Sequence, residues 1–270
     1  VNRFLRLFRF GNGIMGILGV VIGAFIAVGF GIGDHVQNLL ISGAVVLVFM
    51  AGGNSLNDYI DRDIDKTAHP DRPLPTGEIA PRTALIIGVS GLAAASLLSL
   101  AMMSFTVTLM VIIAAALMVS YELYLKQRGF VGNVAIAVLT GTIFLFGGAV
   151  VGNVEGNLII AAMAALVSIG REIAKDIQDM GSDEGRRTLP MVIGKKKAAA
   201  AGAVFFVLGP ALSVWPLIDQ TFGWLYCIVF IADAIFIYSA FIIFRKADVS
   251  QKMAKYAMLI ALVAFVLGVI

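Results

Sequence analysis

Apolar residues run through this chain in long unbroken stretches, with the polar residues gathered between them. The stretches lie at roughly 10–32, 37–57, 82–103, 105–120, 131–152, 157–177, 196–217, 221–244 and 252–270. Most approach the ~20 residues a helix needs to cross ~30 Å of hydrocarbon. They do not alternate apolar with polar, which excludes a transmembrane β-barrel. The pattern predicts an all-α, polytopic membrane protein of about nine transmembrane helices. The short 105–120 stretch is expected to continue as helix into polar surroundings. The opening residues, VNRFLRLFRF, interleave arginine with bulky apolar side chains. They read as a helix lying on the membrane surface, with Arg3 and Arg6 held by lipid headgroups.

Two polar segments interrupt this pattern in the same way. The second stretch ends in NSLNDYIDRDID, residues 54–65. At about 100° per residue, Asp58, Asp61 and Asp65 share one helix face, Asn54 extends the stripe, Asn57 lies at its edge and Asp63 points away. Stacked like charges repel, so a helix built this way calls for a counter-ion, and carboxylate oxygens suit Mg²⁺. The sixth stretch ends in KDIQDMGSD, where Asp176, Asp179 and Asp183 repeat the D-x-x-D-x-x-x-D spacing. Each copy is followed by arginine, Leu-Pro and glycine: Arg72, Leu74, Pro75 and Gly77 in the first, Arg187, Leu189, Pro190 and Gly194 in the second. Two such faces are suited to holding metal ions between them, with a diphosphate bridging.

Charge fixes an expected orientation. With the N-terminus in the cytoplasm, all 20 Lys and Arg fall in cytoplasmic segments or at their edges, as the positive-inside rule requires. The segments GIGDHVQN, VGNVEGN and PLIDQ on the other side have none. An odd number of spans then puts the C-terminus outside. The pI near 9.0 accordingly reports orientation and not nucleic-acid binding. Both acidic helices run from outside to inside. This predicts one integral-membrane domain, 1–270, with a parallel four-helix repeat (about 10–125 and 131–245) and one extra helix. Cys227 is the single cysteine and reads as a core or lipid-facing thiol; no cleavable signal peptide is evident.

Further site candidates lie at the cytoplasmic edge. Arg9 and Asn12 follow the surface helix. The loop after the first acidic stripe has four prolines, Pro70, Pro73, Pro75 and Pro81, so it is a stiffened connection of the length that often serves as a lid. It carries Arg72, and also His69, which reads as an ordinary loop residue. The fourth span ends in SYELYLKQRGF and delivers Tyr121, Tyr124, Lys126 and Arg128. Lys175 precedes the second stripe, beside Arg171 and Glu172, where intramembrane charges face the bundle interior. Trp215, Trp224 and Tyr226 fit an aromatic belt near the outer surface. Asp233 is an acid in mid-span without an evident partner. A cation-coupled transporter is the competing class, but it would place its acids near mid-membrane beside interrupted helices.

At these motifs the chain resembles the UbiA superfamily of intramembrane prenyltransferases, over essentially its whole length. Asn57, Asp58, Asp61 and Asp65 match the family's N-D-x-x-D-x-x-x-D, Arg72 to Gly77 its R-P-L-P-x-G, and Asp176, Asp179 and Asp183 its second motif. One departure lies on the fourth span, where the family often shows Tyr-x-x-x-Lys: Tyr121 and Lys126 are five apart, and Tyr124 with Arg128 keeps the spacing without the lysine. The segment REIAKDIQDMGSDEGRRTLP is most similar to the archaeal branch that joins geranylgeranyl diphosphate to geranylgeranylglyceryl phosphate. The resemblance implies Mg²⁺-dependent prenyl transfer to a lipid-like acceptor in ether-lipid synthesis, with prenylation of 4-hydroxybenzoate or a naphthoate as the alternative. It implies Asp58, Asp61, Asp65, Asp176, Asp179 and Asp183, with Asn57, as metal ligands. Substrate contacts would come from Asn54, Asn57, Arg72, Tyr121, Tyr124, Lys126, Arg128, Lys175, Arg9 and Asn12. Membrane lipids are the surrounding partners; no protein or nucleic-acid partner is implied.

Overall fold

The computed structural model describes residues 2–181 and 187–270. The described residues form helices and no strand: α1 (Arg3–Phe8), α2 (Phe10–Val28), α3 (Val36–Ile60), α4 (Arg62–Ala68), α5 (Pro81–Ser99), α6 (Phe105–Leu123), α7 (Phe130–Val150), α8 (Leu158–Asp179), α9 (Leu189–Ile193), α10 (Lys195–Ser213), α11 (Trp215–Ile218), α12 (Val229–Ile242) and α13 (Ala247–Val269). Eight apolar helical stretches among them are long enough to cross a membrane. The first of these covers 51 residues, Phe10–Ile60. It contains two helices, α2 and α3, joined through a 3₁₀ segment at Gly29–His35 and packed against each other. The chain is an integral membrane protein.

Glycine sets how closely the helices approach. A Cβ on Gly52 would lie 2.8 Å from the backbone nitrogen of Leu92, and one on Gly91 would lie 2.8 Å from Cα of Gly52. The backbones of α3 and α5 therefore touch, as small residues allow inside a membrane. Gly23 does the same for α2 against α7. A Cβ on Gly23 would meet the carbonyl oxygen of Phe144 at 2.7 Å. This contact is pinned by buried Asn157, just before α8, whose Nδ2 donates to the carbonyls of Gly23 (2.8 Å) and Phe144 (2.6 Å).

The buried apolar side chains form one large cluster centred on α8, α10, α12 and α13 and another on α2, α3, α6 and α7. A small third cluster, Leu7, Leu74, Ile79 and Ala84, joins α1 to the loop after α4.

Several expectations need revision here. Arg3 and Arg6 are not held by headgroups alone. Arg3 donates to the carbonyl of Glu78 (3.1 Å), and Arg6 pairs with the Glu78 carboxylate (2.9 Å) and donates to the carbonyl of Asp71. With Leu7 fully buried, α1 is latched onto the proline-rich loop. Tyr226 does not belong to an aromatic belt. It is fully buried, stacks on Phe265, and its hydroxyl donates to the Ser213 carbonyl at 3.0 Å. Trp215 and Trp224 are exposed, as belt residues are. Asp233 does have a partner, since its Oδ2 accepts from the Ser213 hydroxyl at 2.6 Å. Cys227 is exposed.

Candidate prenyl diphosphate site

The first acidic stripe is built by a helix that breaks inside its own motif. α3 ends at Ile60, Asp61 takes φ −84° and ψ 4°, and α4 resumes at Arg62. The face is nevertheless continuous: Asn54, Asp58, Asp61 and Asp65 are 7, 2, 7 and 3% exposed. The Asp63 side chain is 68% exposed and pairs with Lys66 at 2.8 Å. That hydrogen bond holds the Asp63 carboxyl below the usual range.

Each buried carboxylate of this stripe meets a cation. Asp58 accepts from Arg9 at 2.5 Å and lies 3.5 Å from Arg72, which also reaches Asp65 at 2.6 Å. Asp61 accepts from Lys126 at 2.6 Å. The opposed charges offset part of the desolvation that burial imposes. Arg9 sits in the left-handed region (φ 48°, ψ 54°) between α1 and α2, a costly conformation for a side-chain-bearing residue. It aims the guanidinium at Asp58 and at the Asn57 oxygen, 3.0 Å away. Asn54 is committed otherwise, donating to the Phe8 carbonyl at 2.8 Å, so it ties α1 to α3.

The end of α6 decides which of its basic side chains points into the bundle. α6 stops at Leu123, and a 3₁₀ turn over Leu125–Gln127 carries Lys126 inward. Tyr124 is left 61% exposed, and Arg128 is exposed as well. The residue four before Lys126 is Glu122, a buried acid absent from the residues singled out above. Its carboxylate accepts from Lys126 (2.7 Å) and from the Asn57 amide (3.0 and 3.1 Å). Its signal in the sequence was an acid one helical turn before a lysine inside an apolar run.

Two pockets flank this network. One, of about 350 Å³, is lined by Arg6, Arg9, Asp58, His69, Asp71 and Arg72. The other, of about 40 Å³, is lined in part by Tyr121, Lys126, Glu172, Lys175, Asp176 and Asp179. Lys126 thus touches the first stripe and borders the second. Asn133, also not anticipated, donates to Asp176 at 2.9 Å. Asn12 is exposed and does not line either pocket. Asp183 lies outside the described residues.

Among the described residues, no three His, Cys, Asp or Glu side chains are grouped as ligands of one ion. That agrees with the donor set. Mg²⁺ usually takes one or two carboxylates and completes its shell with water and substrate phosphates, without an all-protein cage. Hard carboxylate oxygens on two helices, with cations between them, fit metal ions that arrive with a diphosphate.

The chain matches the model of the UbiA prenyltransferase family over residues 17–264. It is 35% identical to digeranylgeranylglyceryl phosphate synthase of Natronomonas pharaonis, covering 99% of this chain and 97% of that one. Against the same synthase of Thermococcus kodakarensis it is 36% identical, over 95% and 92% of the two chains. A solved structure concerned with digeranylgeranylglyceryl phosphate synthase in membranes superposes with a TM-score of 0.85 at 34% identity, covering 99% of this chain and 97% of the other. The fold is shared with a UbiA homolog from Archaeoglobus fulgidus bound to DMAPP and Mg²⁺, at TM-score 0.65 and 16% identity over 96% and 99% of the chains. By motif, fold and full-length similarity, this chain belongs to the UbiA prenyltransferase family.

Proposed function

We propose that the chain transfers a geranylgeranyl group from its diphosphate to the free hydroxyl of geranylgeranylglyceryl phosphate, in archaeal ether-lipid synthesis. One observation carries the site assignment: Lys126 bonds to the first acidic stripe and also lines the pocket that holds Asp176 and Asp179. A diphosphate lying between the stripes would meet cations from three elements. Bound Mg²⁺, held by Asp58, Asp61, Asp65, Asp176, Asp179 and Asp183 with Asn57 at the edge, would neutralise charge developing on the leaving diphosphate. Lys126, Arg72 and Lys175 donate charge-assisted hydrogen bonds to phosphate oxygens. Tyr121, at the same pocket, contributes a hydroxyl. The apolar bundle below keeps water from the allylic cation. The C1–O bond to diphosphate breaks, the acceptor oxygen bonds to C1 of the allylic cation, and the hydroxyl proton passes to the released diphosphate. The acids cluster at one end of the bundle beside long loops, which disfavours a transporter.

The acceptor assignment rests on similarity to the synthases named above and on the pocket holding Arg6, Arg9, His69 and Arg72. A glyceryl phosphate brings nearly two negative charges at neutral pH, where 4-hydroxybenzoate brings one. Purified protein with geranylgeranyl diphosphate and Mg²⁺ is expected to turn over geranylgeranylglyceryl phosphate and to leave 4-hydroxybenzoate essentially untouched. Of Arg9→Ala and Arg72→Ala, at least one should raise the acceptor KM more than the donor KM, because a ground-state phosphate contact is lost. Efficient prenylation of 4-hydroxybenzoate with none of the glyceryl phosphate would overturn the acceptor and leave the metal site standing.

The same reading orients the chain. The long apolar stretch Phe10–Ile60 crosses twice, giving nine crossings, with residues 10–125 and 131–245 as parallel repeats and α13 as the addition. The site and the N-terminus face the cytoplasm, and the C-terminus lies outside. In a Cys227→Ala background, cysteines at Gly33 and Gln220 should react with an impermeant thiol reagent added to intact cells. Cysteines at Thr67 and Gln127 should react only after lysis. The reverse pattern would place the site on the outer face.

A further inference from the structure

Two buried oxygen atoms beside the second acidic motif have no hydrogen-bond partner among the described residues: Oδ1 of Asn133 and Oγ1 of Thr188. Asn133 is 6% exposed and Thr188 4%. Both line the pocket of about 40 Å³ that also holds Glu172, Asp176 and Asp179. Buried polar atoms are nearly always paired, so two orphans on one small pocket point to a ligand. Chemistry fixes which way the Asn133 amide faces. An ionised carboxylate only accepts, so the atom 2.9 Å from Asp176 is the nitrogen, and the amide oxygen is the one left over.

Close backbone packing holds that oxygen in place. A Cβ on Gly132 would lie 2.7 Å from the carbonyl oxygen of Leu125, in the turn that carries Lys126 inward. One on Gly129, at φ 57°, would lie 3.4 Å from the backbone nitrogen of Leu189, the neighbour of Thr188. The turn after α6, the first turn of α7 and the start of α9 thus meet backbone to backbone around the pocket.

The two acidic motifs differ at one position. The residue before the leading aspartate is Asn57 in the first and Lys175 in the second. The Asn57 amide donates to Asp61 at 3.1 Å, and the Asn133 amide donates to Asp176. Each motif therefore has one amide bonded to one of its carboxylates, and the second borrows its amide from α7. We propose that Asn133 is the neutral oxygen ligand of the divalent ion on the second motif, the counterpart of Asn57 on the first. The inference rests on the Mg²⁺-dependent prenyl-transfer reading above and adds a ligand from a third helix. The pocket has room for a few water-sized ligands and not for a glyceryl phosphate. Its hard oxygen donors suit Mg²⁺ or Mn²⁺. With Asp176 and Asp179 as the other ligands, an amide completes a bond without adding negative charge, whereas a third carboxylate would repel the diphosphate.

The test counts Mn²⁺ bound to the purified full chain in the presence of inorganic diphosphate, from the electron paramagnetic resonance signal of the free ion. Wild type should bind an ion at each motif. Asn133→Ala should weaken one of them by at least ~10-fold, the scale for losing one contact around a metal, and Asn57→Ala should weaken the other, so that the double variant loses both. Asn133→Leu fills the same space without a ligand atom and carries the same sign, should the alanine variant fail to fold. Asn133→Asp separates ligation from mere orientation of Asp176. It keeps an oxygen but gives up the donor, so a ligand role predicts Mn²⁺ binding at least as tight as in wild type. Binding weaker than in Asn133→Ala, from two carboxylates left facing each other, would make Asn133 only the orienter of Asp176 and overturn the proposal. Wild-type Mn²⁺ affinity in Asn133→Ala, with a raised acceptor KM instead, would overturn it too. A wild type that binds no Mn²⁺ with diphosphate defeats the metal-dependent reading itself.

Discussion

Asp61→Asn and Asp179→Asn are each expected to cut prenyl transfer by at least ~100-fold, the cost typical of removing one preorganised electrostatic contact to developing charge. Asp63→Asn should stay within about twofold of wild type, since surface substitutions away from a site usually have small effects. The contrast follows from the helix phase, which the break at Asp61 leaves continuous. Asp61 faces inward at 7% exposure and meets Lys126, whereas the Asp63 side chain is 68% exposed and meets Lys66 and Arg62. Asparagine nearly preserves the volume of aspartate, and Lys126 keeps Glu122 as a partner, so Asp61→Asn should remain folded and extractable. Diphosphate release, with a monodisperse elution profile in detergent, checks both halves of this expectation. Chelation should abolish wild-type turnover and added Mg²⁺ should restore it. Near-normal turnover by Asp61→Asn at ordinary Mg²⁺ would remove that carboxylate from the ligand set.

Much of this was legible in the sequence because it depends on short-range periodicity. The long apolar runs, the D-x-x-D-x-x-x-D phase and the outward turn of Asp63 all follow from residue type and a rotation of 100° per residue. Extrapolating that rotation fails where a helix stops. Lys126 and Arg128 could not be told apart because α6 ends at Leu123, and the following 3₁₀ turn resets which side chain points inward. Pairings distant in the chain were equally invisible. Arg6 finds Glu78, Asn133 finds Asp176, and Asp233 finds Ser213, and none of these follows from local spacing. Tyr226 misleads for a related reason. An aromatic near a membrane boundary reads as a belt residue until Phe222 and Phe265 close around it. Glu122 was legible and passed over, since an acid in an apolar run four residues before a lysine is itself a signal.

Lys126→Met is expected to lower prenyl transfer by ~10²–10³-fold, as for loss of one donor to developing negative charge, and to destabilise the fold as well. The Lys126 ammonium is nearly buried, at 5% side-chain exposure, and serves Asp61 at 2.6 Å and Glu122 at 2.7 Å. Deleting it leaves two carboxylates together in a dry site, and breaking a buried pair in this way costs roughly 3–5 kcal/mol. The two effects can be separated by removing one of the stranded charges. In Lys126→Met/Glu122→Gln only Asp61 remains charged, and the Asn57 amide still donates to it at 3.1 Å. The double variant should therefore regain much of the lost thermal stability without regaining turnover. Lys126→Arg keeps the charge but replaces a compact ammonium with a planar fork, and should recover part of the activity. Turnover that returned together with stability in the double variant would make Lys126 a structural counter-ion, and the diphosphate contact would then have to come from Arg72 and Lys175.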